Sequence, residues 1–151
     1  MDIGVSPHEL QRLLDEREIV AVAVAYCFAL DTHDWDALHQ VFTPDATANL
    51  GVPARQVGID EIIERISGAL SGLDNSQHLV GNHEVVVTGD TATHRCYLQA
   101  QHIRAVPDGS PLFMIAGRYE DEFVRIPDGW RIGHRTLTTM WREGNSGVVQ
   151  F

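Results

Sequence analysis

Two residues combine a reactive side chain with a notable position in the sequence. Asp31 ends a predicted helix, where the helix dipole is negative, so its carboxylate needs a compensating hydrogen-bond donor. The alternatives are a solvated carboxylate or a cap for the next helix. His78 opens the first long predicted strand, where an imidazole serves either a structural role or proton transfer. The residues alone do not decide whether the two side chains meet.

The second long strand indicates where a pocket would lie. Every other residue from Ala92 to His102 shares one face, which we expect to be buried. On that face the small Ala100 leaves space for a ligand, so His102 is predicted to line a pocket, the alternative being a rim histidine in solvent. Arg135 has the same two possible interpretations, a surface cation or a pocket cation.

The histidine and cysteine spacing disfavours a metal site. His78 and His83 are separated by an odd number of residues, so on a regular strand they point to opposite faces. No HExxH motif occurs, and the two cysteines, Cys27 and Cys96, have no zinc-ligand spacing. We predict buried free thiols, no metal and no cofactor.

The overall charge excludes several classes of partner. A net charge of −10 and a pI near 5.1 oppose binding to nucleic acid or to an anionic membrane surface. No apolar run approaches the roughly 20 residues of a membrane span. The most apolar stretch, residues 19–26, follows acidic residues rather than the basic ones of a signal peptide, so a cytoplasmic protein is expected.

The order of elements predicts an α+β fold in a single domain over residues 1–151. A capping box from Ser6 to Glu9 predicts the start of the first helix, Asp34 that of a short second helix, and Asp60 that of a third. Period-two alternation then predicts four long antiparallel strands, after one short strand near residues 46–50. The predicted long strands are 77–87, 91–104, 112–124 and 130–140.

Several short motifs give this layout a family resemblance. They are residues 26–31, 35–38, 42–46, 77–78, 89–92, 117–119 and 128–132. In this order they resemble the SnoaL-like domains of the nuclear-transport-factor-two-like superfamily. The resemblance implies a cone-shaped curved antiparallel sheet packed against three N-terminal helices, a cystatin-like α+β barrel. Within the class, the pattern is similar to scytalone dehydratase, the bile-acid dehydratases and hexachlorocyclohexane dehydrochlorinase.

The resemblance also implies roles for individual residues. His78 would be a base oriented by Asp31, and Tyr26 matches a catalytic tyrosine of the bile-acid dehydratases. Arg135 resembles an arginine of the dehydrochlorinase. The sequence departs from each relative, because the dehydrochlorinase has lysine at Tyr26 and the bile-acid enzymes have a carboxylate at Ala100. Their arginine near the end of the last strand is also threonine here, at Thr139. The substrate is therefore not inherited from any of them.

These features favour a cofactor-independent lyase of the dehydratase type acting on a small hydrophobic cyclic molecule. The alternatives are an isomerase or cyclase on a polyketide-like or steroid-like molecule, and a non-catalytic ligand-binding or interaction module. The predicted substrate-binding residues are Arg135, His102, Phe42, Leu98, Met114 and Trp35.

The relatives further imply a homodimer or homotrimer. An exposed sheet face carrying Tyr97, Phe123 and Trp141 would suit the partner subunit. The C-terminal segment from Glu143 to Phe151 either closes the pocket or is disordered.

Overall fold

Two α-helices, two short 3-10 helices and a six-stranded sheet make up the computed structural model, which describes residues 4–51 and 55–149. The helices are α1 (Pro7–Asp31) and α2 (Ile59–Leu70), with 3-10 helices at Asp36–Gln40 and Ser146–Val148. The strands are β1 (Phe42–Asn49), β2 (Gln56–Val57), β3 (Asn75–Thr88), β4 (Thr91–Ile103), β5 (Leu112–Ile126) and β6 (Gly129–Gly144). No helix among these residues is long and apolar enough to cross a bilayer.

Helix α1 begins where the capping box predicts. The Ser6 hydroxyl accepts from the Glu9 backbone N–H at 3.2 Å, and the Glu9 carboxylate accepts from the Ser6 N–H at 2.9 Å. Pro7 occupies the first helical position, where no hydrogen-bond donor is needed. The helix then continues without interruption to Asp31, which places that carboxylate at its C-terminal end.

The sheet has the order β2-β1-β6-β5-β4-β3 and is antiparallel except for the parallel pair β1–β6. β-bulges interrupt the ladder between Gly81 and Glu84, at Gly117 and near Phe123. Bulges increase the local twist and bend the strands. The long strands therefore curve around a core that both α-helices cover from the inner side.

The predicted second helix is shorter and tighter than expected. Asp34 does accept a hydrogen bond, from the Ala37 N–H at 3.2 Å, but the helix is a 3-10 turn ending at Gln40. Phe42 belongs instead to β1, which also contains Pro44. Proline fits because the β1–β6 register is irregular between Phe42 and Thr47, so no ladder donor is lost at that point. The expected set of three helices is corrected to two α-helices plus this 3-10 turn.

The faces predicted from strand alternation are wrong at two residues, His83 and Phe123, and a β-bulge explains the first. His78 and His83 lie on the same inner side of β3, because Asn82 adopts a left-handed conformation with φ of 54° and the register shifts around it. Phe123 was expected on the outer face but is 1% exposed in the core. Tyr97 and Trp141 are exposed on the outer face, and the homo-oligomer that this face was expected to support remains a prediction.

Candidate active site

Asp31 and His78 form a close pair where the end of α1 meets the start of β3. His78 Nδ1 lies 2.6 Å from Asp31 Oδ1, and the backbone N–H of His78 donates to Asp31 Oδ2 at 2.9 Å. The Ser76 hydroxyl donates to Asp31 Oδ1 at 2.9 Å. These donors compensate the carboxylate for its position at the negative end of the helix dipole.

The surroundings of Asp31 keep it ionised. Partial burial disfavours the charged carboxylate, but hydrogen bonds from the His78 ring, the His78 backbone and Ser76 outweigh burial and lower the Asp31 pKa. Because the ionised carboxylate can only accept hydrogen bonds, the nitrogen that faces it, His78 Nδ1, must carry the proton. His78 Nε2 is then a lone-pair acceptor, which is the state a general base needs.

His78 lies in the wall of a partly open cavity between the helices and the curved sheet. The cavity has a volume of about 80 Å³. Its lining consists of Tyr26, Leu30, Leu50, Arg65, Ile66, Ala69, Leu70, His78, Leu98, Ala100, His102, Ile115, Tyr119, Leu137 and Val149. Most of these side chains are apolar, so proton transfer there would take place with little competing water.

His102 lines the cavity beside His78, as the alternation on β4 predicts. The two rings meet edge to face with centroids 5.6 Å apart. His102 Nδ1 lies 3.1 Å from the Phe113 carbonyl oxygen, which only a protonated Nδ1 satisfies. Burial and the neighbouring His78 lower the His102 pKa to about 4, so the ring is neutral near neutral pH and Nε2 is an acceptor.

Tyr26 and Tyr119 supply hydroxyl groups to the cavity, with Arg135 between their rings. The Arg135 guanidinium carbon lies 4.3 Å from the Tyr26 ring centroid and 4.0 Å from that of Tyr119. Burial raises the pKa of Tyr26, against the opposing effect of Arg135 and a hydrogen bond with Tyr119. Burial likewise raises the pKa of Tyr119, so both phenols retain their protons. Because the two hydroxyls are hydrogen-bonded to each other, one proton of the pair is left to donate to a bound molecule.

Arg135 itself lies behind the cavity wall. Its Nε donates to Asp121 Oδ1 at 2.7 Å and its Nη2 donates to Oδ2 at 2.8 Å, with both residues fully buried. A bulge at Gly133 turns Arg135 to the inner side. Arg135 is not among the residues that line the cavity, and its Nε and Nη2 are bound to Asp121, while Nη1 is buried without a hydrogen-bond partner among the described residues.

Three other predicted substrate-binding residues also lie outside the cavity lining. Phe42 is buried in the core, with its ring 5.9 Å from that of Tyr26. Met114 faces away, since it pairs with Gln101 and Glu143 on the other side of the sheet. Trp35 stacks on His33 at 5.1 Å. Leu98 and His102 are where they were expected.

Sequence reasoning missed three polar residues of the site, namely Arg65, Ser76 and Tyr119. Arg65 is the cation among the lining residues, and its Nη2 donates to the Leu50 carbonyl oxygen at 3.1 Å. The sequence did carry a signal for Arg65, because it lies on the apolar face of α2 with Ile62 and Ile66, which are buried. Ser76 is two residues before His78 and hence on the same face of β3. Val149 of the C-terminal segment lines the cavity, and residues 150–151 of that segment lie outside the described part of the chain.

Similarity in sequence places the chain in a known domain family. A family model described as a SnoaL-like domain matches residues 11–136. The chain belongs to the SnoaL-like domain family. An uncharacterised protein from Mycobacterium tuberculosis is 33% identical over 133 residues, 85% of this chain and 88% of the relative. The terrestric acid biosynthesis cluster protein E of Penicillium crustosum is 30% identical over 149 residues, covering 94% of each chain.

Solved structures share the fold. A candidate aromatic ring hydroxylase from Novosphingobium aromaticivorans superposes with a TM-score of 0.80 at 28% identity, covering 90% of this chain and 96% of the other. A candidate scytalone dehydratase from that bacterium gives a TM-score of 0.79 at 21% identity, covering 89% of each chain. A hexachlorocyclohexane dehydrochlorinase gives 0.80 at 14% identity, covering 95% and 97%. The last two similarities show the fold alone, and they confirm the structural resemblance drawn from the sequence motifs.

Proposed function

We propose that this SnoaL-like protein is a cofactor-independent lyase of the dehydratase type, with His78 as the base and Asp31 as the residue that orients it. The observation that carries the proposal is the 2.6 Å contact between His78 Nδ1 and Asp31 Oδ1, made by a histidine in the wall of an apolar cavity. Such a pair holds the imidazole in one tautomer and stabilises the imidazolium once Nε2 has taken a proton.

The cavity groups fit the elimination of water from a cyclic β-hydroxy carbonyl compound. His78 Nε2 removes the proton next to the carbonyl, and the electron pair of that C–H bond moves toward the carbonyl oxygen. Tyr26, protonated because burial raises its pKa, donates a hydrogen bond to the resulting enolate. The enolate collapses to a carbon–carbon double bond, the carbon–oxygen bond breaks, and the His78 imidazolium returns the proton so that water leaves.

The cavity size adds a constraint on the substrate. At about 80 Å³ the space is well below the roughly 300 Å³ of pockets that hold drug-sized ligands. It therefore favours a small single-ring substrate over a larger one.

Two of the similar proteins support this class of reaction. One structural neighbour is a hexachlorocyclohexane dehydrochlorinase and another is a candidate scytalone dehydratase, so elimination is a chemistry that this fold accommodates. The name of the Penicillium crustosum relative connects it with the biosynthesis of an acid natural product. We take small oxygenated ring compounds as the first substrates to test.

The test is an assay of cyclic β-hydroxy ketones by mass spectrometry, which separates loss of one water from isomerisation at constant mass. For a compound that reacts, we expect His78→Ala to lower kcat/KM by about 10²–10⁴-fold, the usual contribution of a positioned base. Asp31→Asn should also lower it, with the smaller effect expected of an orienting residue. His39→Ala, a change at an exposed histidine of the 3-10 turn, is the matched control and should leave kcat/KM unchanged.

Circular dichroism and thermal melting of each variant separate loss of chemistry from loss of fold. Turnover that survives His78→Ala in a folded protein would remove the base from the mechanism. A product of unchanged mass would replace the lyase with an isomerase, and tight binding of the panel without any product would favour the ligand-binding alternative.

A further inference from the structure

A second group of histidine and cysteine side chains lies on the inner side of the sheet, apart from the cavity. It consists of His83 on β3 with His94 and Cys96 on β4, and none of the three lines the cavity. His94 and Cys96 are alternate residues of one strand and so share a face, and His83 joins them by regular alternation with Val85 and Val87 on β3. Their potential ligand atoms all lie within 4.8 Å of one another.

The ring nitrogens of the two histidines already face each other. His83 Nδ1 lies 2.9 Å from His94 Nε2, and the rings are stacked with centroids 5.2 Å apart. In a tetrahedral site with zinc–nitrogen bonds of 2.0–2.1 Å, two such nitrogens would be roughly 3.3 Å apart. A small rotation of the half-buried His83 ring would supply the difference, since that residue lies at the irregular part of β3.

A carboxylate holds His94 in the state that a metal ligand requires. Asp121 Oδ2 lies 2.8 Å from His94 Nδ1, and Arg135 holds Asp121 through two hydrogen bonds. With Asp121 as the acceptor, Nδ1 of His94 carries the proton and Nε2 presents its lone pair, which accepts from His83 Nδ1–H in the metal-free protein. Ligating histidines are commonly supported by a carboxylate in this way.

The donor set selects a class of ion. Two imidazoles and one thiolate suit Zn²⁺ and chemically similar divalent ions rather than Mg²⁺ or Ca²⁺, which prefer oxygen ligands. Binding would form a metal–sulfur bond, break the S–H bond and release one proton to solvent, and His83 would carry its proton on Nε2 so that Nδ1 could bind the ion. Three protein ligands leave a fourth position for water, on the side where His83 is partly exposed.

We propose that His83, His94 and Cys96 form a binding site for Zn²⁺ or a similar divalent transition-metal ion, with Asp121 as a positioning residue for His94. This site does not include Asp31 or His78, so the metal-binding test does not depend on the proposed lyase activity. The sequence spacing had disfavoured any metal site, because the parity argument tested only His78 with His83 and these three residues form no local motif. Continuing the β3–β4 register from the Thr88–Thr91 pair without a bulge would have placed His83 opposite Cys96.

The experiment is a titration of tag-free, metal-free protein with Co²⁺, followed by competition with Zn²⁺. We expect one equivalent of Co²⁺ to give the intense d–d absorption of a tetrahedral site together with a thiolate-to-cobalt charge-transfer band. One equivalent of Zn²⁺ should abolish both. His83→Ala should weaken Co²⁺ binding at least 10-fold, and Cys96→Ser should remove the charge-transfer band.

Two variants provide matched controls. Cys27→Ser changes the other buried thiol, and His39→Ala changes an exposed histidine, and neither should alter the spectrum or the affinity. Binding that shows no charge-transfer band, or that is equally strong in His83→Ala, would assign the ion to surface histidines and overturn the proposal. If Cys96→Ser fails to fold, as judged by circular dichroism, the partly exposed His83 still decides the result.

Discussion

At the scale of single residues, the described part of the chain contains two histidine–aspartate pairs, and they differ in the freedom of the second ring nitrogen. His78 is paired with Asp31 and presents Nε2 at the cavity wall. His94 is paired with Asp121 at 2.8 Å, but its Nε2 is occupied by His83 and both members of the pair are fully buried. A base needs a free nitrogen within reach of substrate, so only His78 meets that requirement.

His102 gives a prediction about stability at acidic pH. Its pKa falls from 6.5 in the unfolded chain to about 4 in the fold, because burial disfavours the imidazolium. Between these pH values the unfolded chain binds a proton that the folded chain does not, so stability decreases as pH falls from 6.5 to 4. The decrease should be on the order of 2–3 kcal/mol, and His102→Gln should remove it.

Urea unfolding at a series of pH values measures this dependence. His39→Gln, a change at an exposed histidine, is the control and should keep the wild-type slope. An identical slope in His102→Gln would mean that another group takes up the proton.

At the scale of elements, regular periodicity was readable from the sequence and its interruptions were not. The capping box predicted the start of α1, and alternation placed four long strands within a few residues of β3 to β6. The bulges near Asn82 and Gly133 carry no clear local signal, because a bulge satisfies the geometry of neighbouring strands rather than a preference of its own residues. The first places His78 and His83 on one side of β3, against the parity prediction, and the second decides the side of the sheet that Arg135 faces, which the sequence had left open.

The bulge at Gly117 supports a prediction about the sheet. A Cβ atom at this position would overlap the backbone carbonyl of Thr138 on the neighbouring strand. Gly117→Ala should therefore lower the free energy of unfolding by about 1–3 kcal/mol, the range for overpacking against atoms that cannot move aside. Gly133→Ala is the control, because a Cβ there would lie 3.7 Å from the nearest backbone oxygen, an ordinary contact. Equal denaturation midpoints for the two variants would show that β5 and β6 separate easily.

At the scale of the whole molecule, the two ends of α1 are fastened to different parts of the sheet. The C-terminal end meets β3 through Asp31 and His78, and the N-terminal half meets the β5–β6 hairpin through Asp15. Arg125 donates to both carboxylate oxygens of Asp15, at 2.7 and 2.9 Å, and the Trp130 indole donates at 3.1 Å. The orientation of the helix over the cavity therefore depends on both attachments, although only one of them is near the candidate site.

The attachment at Asp15 predicts acid sensitivity with a defined sign. Hydrogen bonding from Arg125 is the main cause that lowers the Asp15 pKa from 3.8 to about 2. A lowered carboxyl pKa gives stability that is complete above 3.8 and is lost as pH falls toward 2, and the shift corresponds to about 2 kcal/mol. Asp15→Asn should lose about this amount at neutral pH and should show a flatter pH dependence below pH 4. Asp45→Asn, at an exposed carboxylate, should behave like wild type in the same urea series. If Asp15→Asn were as stable as wild type at pH 7, the partly exposed Arg125 would be satisfied by water and by Asp90, and the helix would be held by its apolar contacts alone.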